Sequence, residues 1–189
     1  HTPMIPGWAG LKNEWEEPNP PIINGEDVYS KGPIPREWAK WRGHYTHGDS
    51  VILSYTVGAS GVLELPSFAN GIFQRQFEIT RSPSKSPMSL LACEAPGTTG
   101  SVKGNVALLE KDGHITGVAV LGTGVELKAE NGRIIARVLS PLPTNHFRLG
   151  IWSGPKAAHG KFAALVKAPV KAEFRKVGKN RWPEPVVTQ

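Results

Sequence analysis

Between residues 50 and 57 apolar and polar side chains alternate. Val51, Leu53, Tyr55 and Val57 fall on one side of an extended chain, and Ile52, Ser54 and Thr56 on the other. A period of two in β-branched and aromatic residues predicts a strand. His47-Gly48-Asp49 supplies the reversal before it and Gly58 ends it. The same signal predicts strands over 43–47, 50–57, 61–65, 71–80, 88–94, 104–111, 114–121, 124–129, 132–139 and 145–152. Gly58-Ala59-Ser60-Gly61 and Gly122-Thr123-Gly124 punctuate them, and Asp112-Gly113 and Asn131-Gly132 carry the two-residue hairpin signature. Many short strands at this spacing imply an all-β chain, an antiparallel β-sandwich or partial barrel. The predicted inward rows are Val51/Leu53/Tyr55/Val57, Phe73/Phe77/Ile79, Val118/Val120, Ile134/Ala136/Val138 and Phe147/Leu149/Ile151. Arg75 shares parity with Phe73 and Phe77, so it belongs at a sheet rim or beside a carboxylate. Segments 82–87 and 96–101 read as loops.

The ends of the chain break the alternation. Residues 1–35 hold Pro3, Pro6, Pro18, Pro20, Pro21, Pro33 and Pro35, which predicts an ordered but irregular N-terminal arm pinned by Trp8 and Trp15. Residues 35–41 read as one or two helical turns with Trp38 and Trp41 on one face. Ser153 to Ala168 reads as the single C-terminal helix, capped by Ser153, striped by Phe162, Leu165 and Val166, and stopped by Pro169. The division is therefore an arm (1–35), a β-sandwich domain with its helix (36–168) and a basic tail (169–189).

At 189 residues the chain is one domain. A core of this size forms without a disulfide or metal. Cys93 lies in the apolar run Ser89-Leu90-Leu91-Ala92-Cys93, as a buried, inert thiol would. No run of about 18 apolar residues exists, so no membrane-spanning segment is expected. From Ser153 onward eight basic residues meet two acidic ones, which accounts for the whole net charge of +6. No nucleic-acid-binding motif accompanies that charge, so a solvated face is expected and not a nucleic-acid partner. A chain that begins at His1 and carries the linker-like Arg181-Trp182-Pro183-Glu184-Pro185 near its last residue reads as a processed or excised piece of something longer.

Candidate chemistry is sparse. His44 and His47, three apart on a strand, belong on opposite faces and do not share an ion unless a turn intervenes. If His1 is a mature terminus, its amine and imidazole with a second histidine (His44, His47, His114, His146 or His159) would suit copper in a brace like that of the lytic polysaccharide monooxygenases. Otherwise no cofactor is implied. Trp8, Trp15, Trp38, Trp41, Trp152 and Trp182 read as anchors of the arms, or as a platform for sugar rings in a carbohydrate-binding module. There is no Gly-x-Ser-x-Gly, no Cys-His pairing, no phosphate loop and no haem-attachment motif. Glu64, Glu78, Glu94 and Glu126 fall in alternating strands, where exposed carboxylates are expected.

Residues 33–58, from Pro33-Ile34-Pro35-Arg36-Glu37-Trp38 to Tyr55-Thr56-Val57-Gly58, and then Val62-Leu63-Glu64, resemble an uncharacterised β-rich domain of large secreted bacterial proteins. That domain precedes a propeller of the sorbosone-dehydrogenase type and a cytochrome c module. Pro6-Gly7-Trp8-Ala9 and Arg181-Trp182-Pro183-Glu184 are similar landmarks. The resemblance implies an extracytoplasmic location, periplasmic or secreted, and a part in a redox or carbohydrate-handling assembly. It implies no catalytic residue. The expected function is a non-catalytic module that contacts neighbouring domains or a partner chain. A polysaccharide-binding module and a copper enzyme using His1 are the alternatives.

Overall fold

The computed structural model describes residues 7–9, 15, 22–23, 26–27, 38–47, 50–80, 88–139, 143–160, 162 and 174. Its strands are β1 (Ile22–Ile23), β2 (Glu26–Asp27), β3 (Ala39–His47), β4 (Ser50–Val57), β5 (Ser60–Ala69), β6 (Ile72–Thr80), β7 (Met88–Glu94), β8 (Thr99–Lys103), β9 (Val106–Lys111), β10 (His114–Gly122), β11 (Val125–Glu130), β12 (Arg133–Val138) and β13 (Thr144–Pro155). Two antiparallel sheets dominate. The larger has the order β3-β4-β5-β6-β13-β10-β9-β8, and the smaller β11-β12-β7. The edge strands β3 and β8 do not pair with each other, so no barrel closes. β1 and β2 form a minimal ribbon by themselves, a short regular piece in the arm expected to be irregular. Apart from residues 7–9 and 15, the rest of that arm lies outside the described residues.

The predicted turns hold the strands in register. Asp112-Gly113 and Asn131-Gly132 each have both central φ angles positive, the geometry that matches strand twist. Asn70-Gly71 does the same, and it carries β5 to Ala69, past the boundary predicted at residue 65. Pro66 is tolerated there because pairing of β4 with β5 stops at Leu53↔Glu64. Beyond it β5 has only β6 beside it and needs no amide donor on its other side.

Three expectations fail. Ala39–His47 is strand where residues 35–41 were expected to be helical, because cross-strand pairing from Ala39↔Val57 onward outweighs a weak helical pattern. Thr99–Lys103 is an exposed edge strand that begins inside the segment read as loop 96–101, since β9 supplies the ladder that its turn-rich composition does not predict. Ser153 is not a helix cap. β13 runs on to Pro155 against β10, and a 3-10 turn, Lys156–Ala158, follows. His159, Gly160 and Phe162 are helical, and 163–168 lie outside the described residues.

The core lies between the sheets. Tyr55, Val57, Val62, Phe77, Ile79, Val118, Val120, Phe147 and Leu149 of the large sheet meet Leu90, Leu127, Ile134, Ala136 and Val138 of the small one. Trp8 joins them from outside the sheets. Leu91 N–H donates to the Gly7 carbonyl at 2.7 Å and Ala9 N–H to the Ser89 carbonyl at 2.8 Å, so residues 7–9 extend the small sheet beyond β7. Only glycine fits at position 7, where φ is +74° and a Cβ would stand 2.4 Å from the Leu91 carbonyl oxygen. A second cluster forms on the other face of the large sheet. Phe162 is fully buried against Ala119 and Ile72 and stacks on Trp152 at 5.7 Å.

Candidate functional site

The large sheet is longer than its cover. Residues paired across a ladder point to the same side, so the register traces one face from strand to strand. Tyr55, Val62, Phe77, Leu149 and Val118 on that face are buried. The same rows continue outward and come into the open at one end. Val51 is 42% exposed, Phe68 72%, Phe73 42% and Trp41 52%. Among the described residues only seven large hydrophobics are exposed, and four of them line this overhang. The register continues it through Ile151 to Ser153, Thr116 and His114.

A bulge brings Trp41 and His44 together. Pairing shifts between Trp41↔Tyr55 and Gly43↔Ser54, which leaves Arg42 as an extra residue. Gly43, at φ +117°, has open space where a Cβ would be, so its backbone angle and not crowding calls for glycine. The shift places Trp41 and His44, three apart, on one face, and their rings lie 6.5 Å apart. The ladder runs without a shift from His44↔Leu53 to His47↔Ser50. His1 lies outside the described residues. Among those described, no group of three or more His, Cys, Asp or Glu is placed to hold a metal.

Beneath Trp41 lies a buried polar chain. Trp41 stacks on Tyr55 at 6.4 Å and 13°. Trp8 Nε1–H donates to the Tyr55 hydroxyl at 2.9 Å, and that hydroxyl donates to Glu64 Oε2 at 2.6 Å. Arg75 Nε donates to Glu64 Oε1 at 2.7 Å and its Nη2 to Oε2 at 3.2 Å, a forked pair, with the guanidinium 5.1 Å above the Phe77 ring. Arg75 thus takes the carboxylate partner that its parity called for. Glu64 corrects the expectation of an exposed carboxylate, being buried on the inner face. Glu78 is buried too, but Leu63↔Glu78 and Glu64↔Phe77 put the two carboxylates on opposite faces, so they make no catalytic pair. Burial pushes the Tyr55 hydroxyl well above its ordinary pKa, and the Glu64 charge adds to the rise while Arg75 opposes it. The arrangement is closed to solvent; it fixes the floor on which Trp41 rests.

The other tryptophans hold the fold. Trp15 Nε1–H donates to the Gly7 carbonyl at 2.8 Å and Trp38 Nε1–H to the Ala9 carbonyl at 3.1 Å, so two indoles clamp the segment that Trp8 anchors. Trp38 packs its ring over Gly58 and against the core cluster that includes Tyr55 and Val57. Trp152 is half-buried on Phe162. Trp182 lies outside the described residues. Trp41 is therefore the tryptophan that the overhang presents. Cys93 is only partly buried, yet burial pushes its thiol up to about 12, which makes it a poor nucleophile.

The far end of the overhang escaped the sequence reading. Ser153 Oγ lies 3.1 Å from His114 Nε2 and 3.1 Å from Thr116 Oγ1. A hydroxyl beside an imidazole is the first half of a nucleophilic site. Among the described contacts no carboxylate orients the other ring nitrogen of His114, and the cluster is open to water, so it presents hydrogen-bonding groups and not an assembled triad. The pairing Thr116↔Ser153 brings the cluster together, and only the strand register reveals it.

Among the described residues no helix is long and apolar enough to cross a membrane. A search of the curated proteins finds no match. The model of a domain of unknown function (DUF6797) matches residues 1–64, the stretch that carries Trp8, Trp15, Trp38, Trp41, Tyr55 and, at its last position, Glu64.

Proposed function

We propose that this domain is a non-catalytic binding module, and that its ligand face is the overhanging end of the large sheet. One observation carries the reading: rows that serve as core under the small sheet continue past it as exposed Trp41, Val51, Phe68 and Phe73. Exposed apolar surface gathered in one place marks an interaction site. The closed hydrogen-bond chain below supports a binding role over a catalytic one, because its ionisable groups are satisfied by each other and do not meet solvent. The resemblance to a domain that precedes a propeller and a cytochrome c module favours a place within a larger extracytoplasmic redox or carbohydrate-handling protein, with such modules as neighbours.

Hydroxyl-radical footprinting of the chain in solution tests the availability of the face. Trp41, Phe68 and Phe73 should be labelled readily while Trp8 and Phe77 stay protected. Protection of Trp41, Phe68 and Phe73 in the monomeric chain would mean that the strip is already covered, and the reading would fall.

A further inference from the structure

We infer that the ligand of the overhang is an uncharged polysaccharide strand lying across the β-strands, stacked on Trp41 at one end and hydrogen-bonded by Ser153, Thr116 and His114 at the other. This rests on the binding-face reading above and names its ligand class. Four properties of the strip lead to it.

Shape comes first. From β3 to β10 the strip crosses six strands, about 24 Å at the usual strand spacing. Its depth, from Glu64 to Phe68 along β5, is about 14 Å. The area, on the order of 340 Å², is well under the roughly 800 Å² per partner of a stable protein interface. A long, narrow footprint suits an extended chain better than a globular surface.

Charge is the second property. Among the described residues paired between β3 and β10, the register places no exposed carboxylate or ammonium on this face; the exposed Arg42 is the unpaired residue of the bulge. Glu64 and Arg75 are buried and neutralise each other. Lys111, next in line on β9, lies against Gly97. A polyanion would meet only Arg42 and Lys111 at the two ends, and a polycation no exposed carboxylate among the paired residues described between them.

The surface chemistry is the third. The strip joins aromatic faces to hydroxyl and imidazole groups, and a pyranose likewise joins an apolar ring face to a rim of hydroxyls. Trp41 offers a flat face parallel to Tyr55. His44 stands beside it, and Ser153, Thr116 and His114 supply donors and acceptors at the far end.

Preorganisation is the fourth. The platform residues sit on paired strands, and Tyr55 is tethered from two sides by Trp8 and Glu64, so little ordering entropy is lost on binding.

The test is affinity electrophoresis and calorimetry of the full chain against neutral glycans (a β-1,4-glucan, a xylan, a mannan and a β-1,3-glucan) and charged ones (an alginate and a chitosan). Binding to at least one neutral glycan is expected, insensitive to salt. Trp41→Ala should weaken it about tenfold or more, and Ser153→Ala about three- to tenfold. Trp41→Tyr should retain most of the affinity, and Phe68→Ser, far from the buried chain, should weaken binding in a protein of unchanged stability. Binding confined to charged glycans and abolished by salt would overturn the inference, as would no binding to any of the six at millimolar sugar. Footprinting then separates the two failures. If Trp41, Phe68 and Phe73 label freely and no glycan binds, the ligand class is wrong and the open face stands. If they are protected, the face itself is wrong.

Discussion

Two ends of one sheet face behave oppositely although their sequences alternate alike. In β4, Tyr55 is fully buried while Val51, four residues back on the same side, is 42% exposed. In β6, Phe77 is 1% exposed and Phe73 42%. In β13, Leu149 is buried and Ser153 open to solvent. The difference is cover: among the described residues the three strands of the small sheet and Trp8 shield one end of the eight-stranded sheet and not the other. At the boundary sits the Trp8–Tyr55–Glu64–Arg75 chain, the point at which the sheet face changes from dry to wet.

The sharpest way to break that boundary is to unpair it. Arg75→Ala leaves Glu64 buried with no cation and should cost about 3–5 kcal/mol in urea unfolding. Arg75→Met combined with Glu64→Gln removes both charges and should recover part of that loss. If the double variant is no more stable than Arg75→Ala, the pair is not what holds the boundary.

Matched truncations test the comparison directly. Phe77→Ala, under the cover and stacked on Phe147 at 4.8 Å, should cost about 3–5 kcal/mol. Phe73→Ala, on the same strand and side but on the overhang, should cost under about 1 kcal/mol. Equal costs would mean that the overhang is as well packed as the core.

Alkaline pH offers a second probe. The Tyr55 hydroxyl ordinarily ionises near 10.0, and its folded value is raised. The folded chain therefore keeps a proton that the unfolded chain gives up. The resulting stability is fully present below about pH 10 and is lost as pH rises beyond it. Cys93, raised from 9.0 to about 12, behaves likewise from about pH 9 upward. Each group should contribute a fall of up to about 1.4 kcal/mol per pH unit. Urea midpoints between pH 7 and 11 should fall less steeply in Tyr55→Phe above pH 10 and in Cys93→Ala above pH 9. Slopes identical to the parent would contradict the burial of these groups.

Trp41→Ala should be milder, about 0.5–1.5 kcal/mol for the lost stack on Tyr55. Phe68→Ser should be the smallest change, within about 0.5 kcal/mol, because its ring is 72% exposed. A large cost for Phe68→Ser would show that the tip of the β5–β6 hairpin is buried in solution.

Much of the fold was legible residue by residue. Val57, Ile79, Val118, Ala136 and Phe147 face inward as their alternation requires, and Asp112-Gly113 and Asn131-Gly132 turn as their backbone preferences demand. The candidate site was legible only in part. Trp41 is one of six tryptophans that the sequence offers as anchor or platform, and a bulge of one residue decides that it shares a face with His44. Glu64 looked like any solvent-facing carboxylate in an alternating strand. Nothing local distinguishes it from Glu94 and Glu126, which do stay in the open. Its burial follows from the diagonal neighbour Arg75 and the incoming Trp8, which are 11 and 56 residues away in the chain. The Ser153–His114 contact was hidden because Ser153 read as a helix cap, while long-range pairing with Thr116 made it strand.

Local chemistry by itself determined the elements: period-two alternation, turn residues with positive φ, and proline where a strand loses a neighbour. These are short-range effects of side-chain parity and backbone sterics, which each segment carries with it. The tertiary structure alone decided which half of an apolar face becomes core and which stays open. That depends on how many strands the second sheet contributes and where the chain lays Trp8, and an alternating row of side chains carries no record of what will be packed against it.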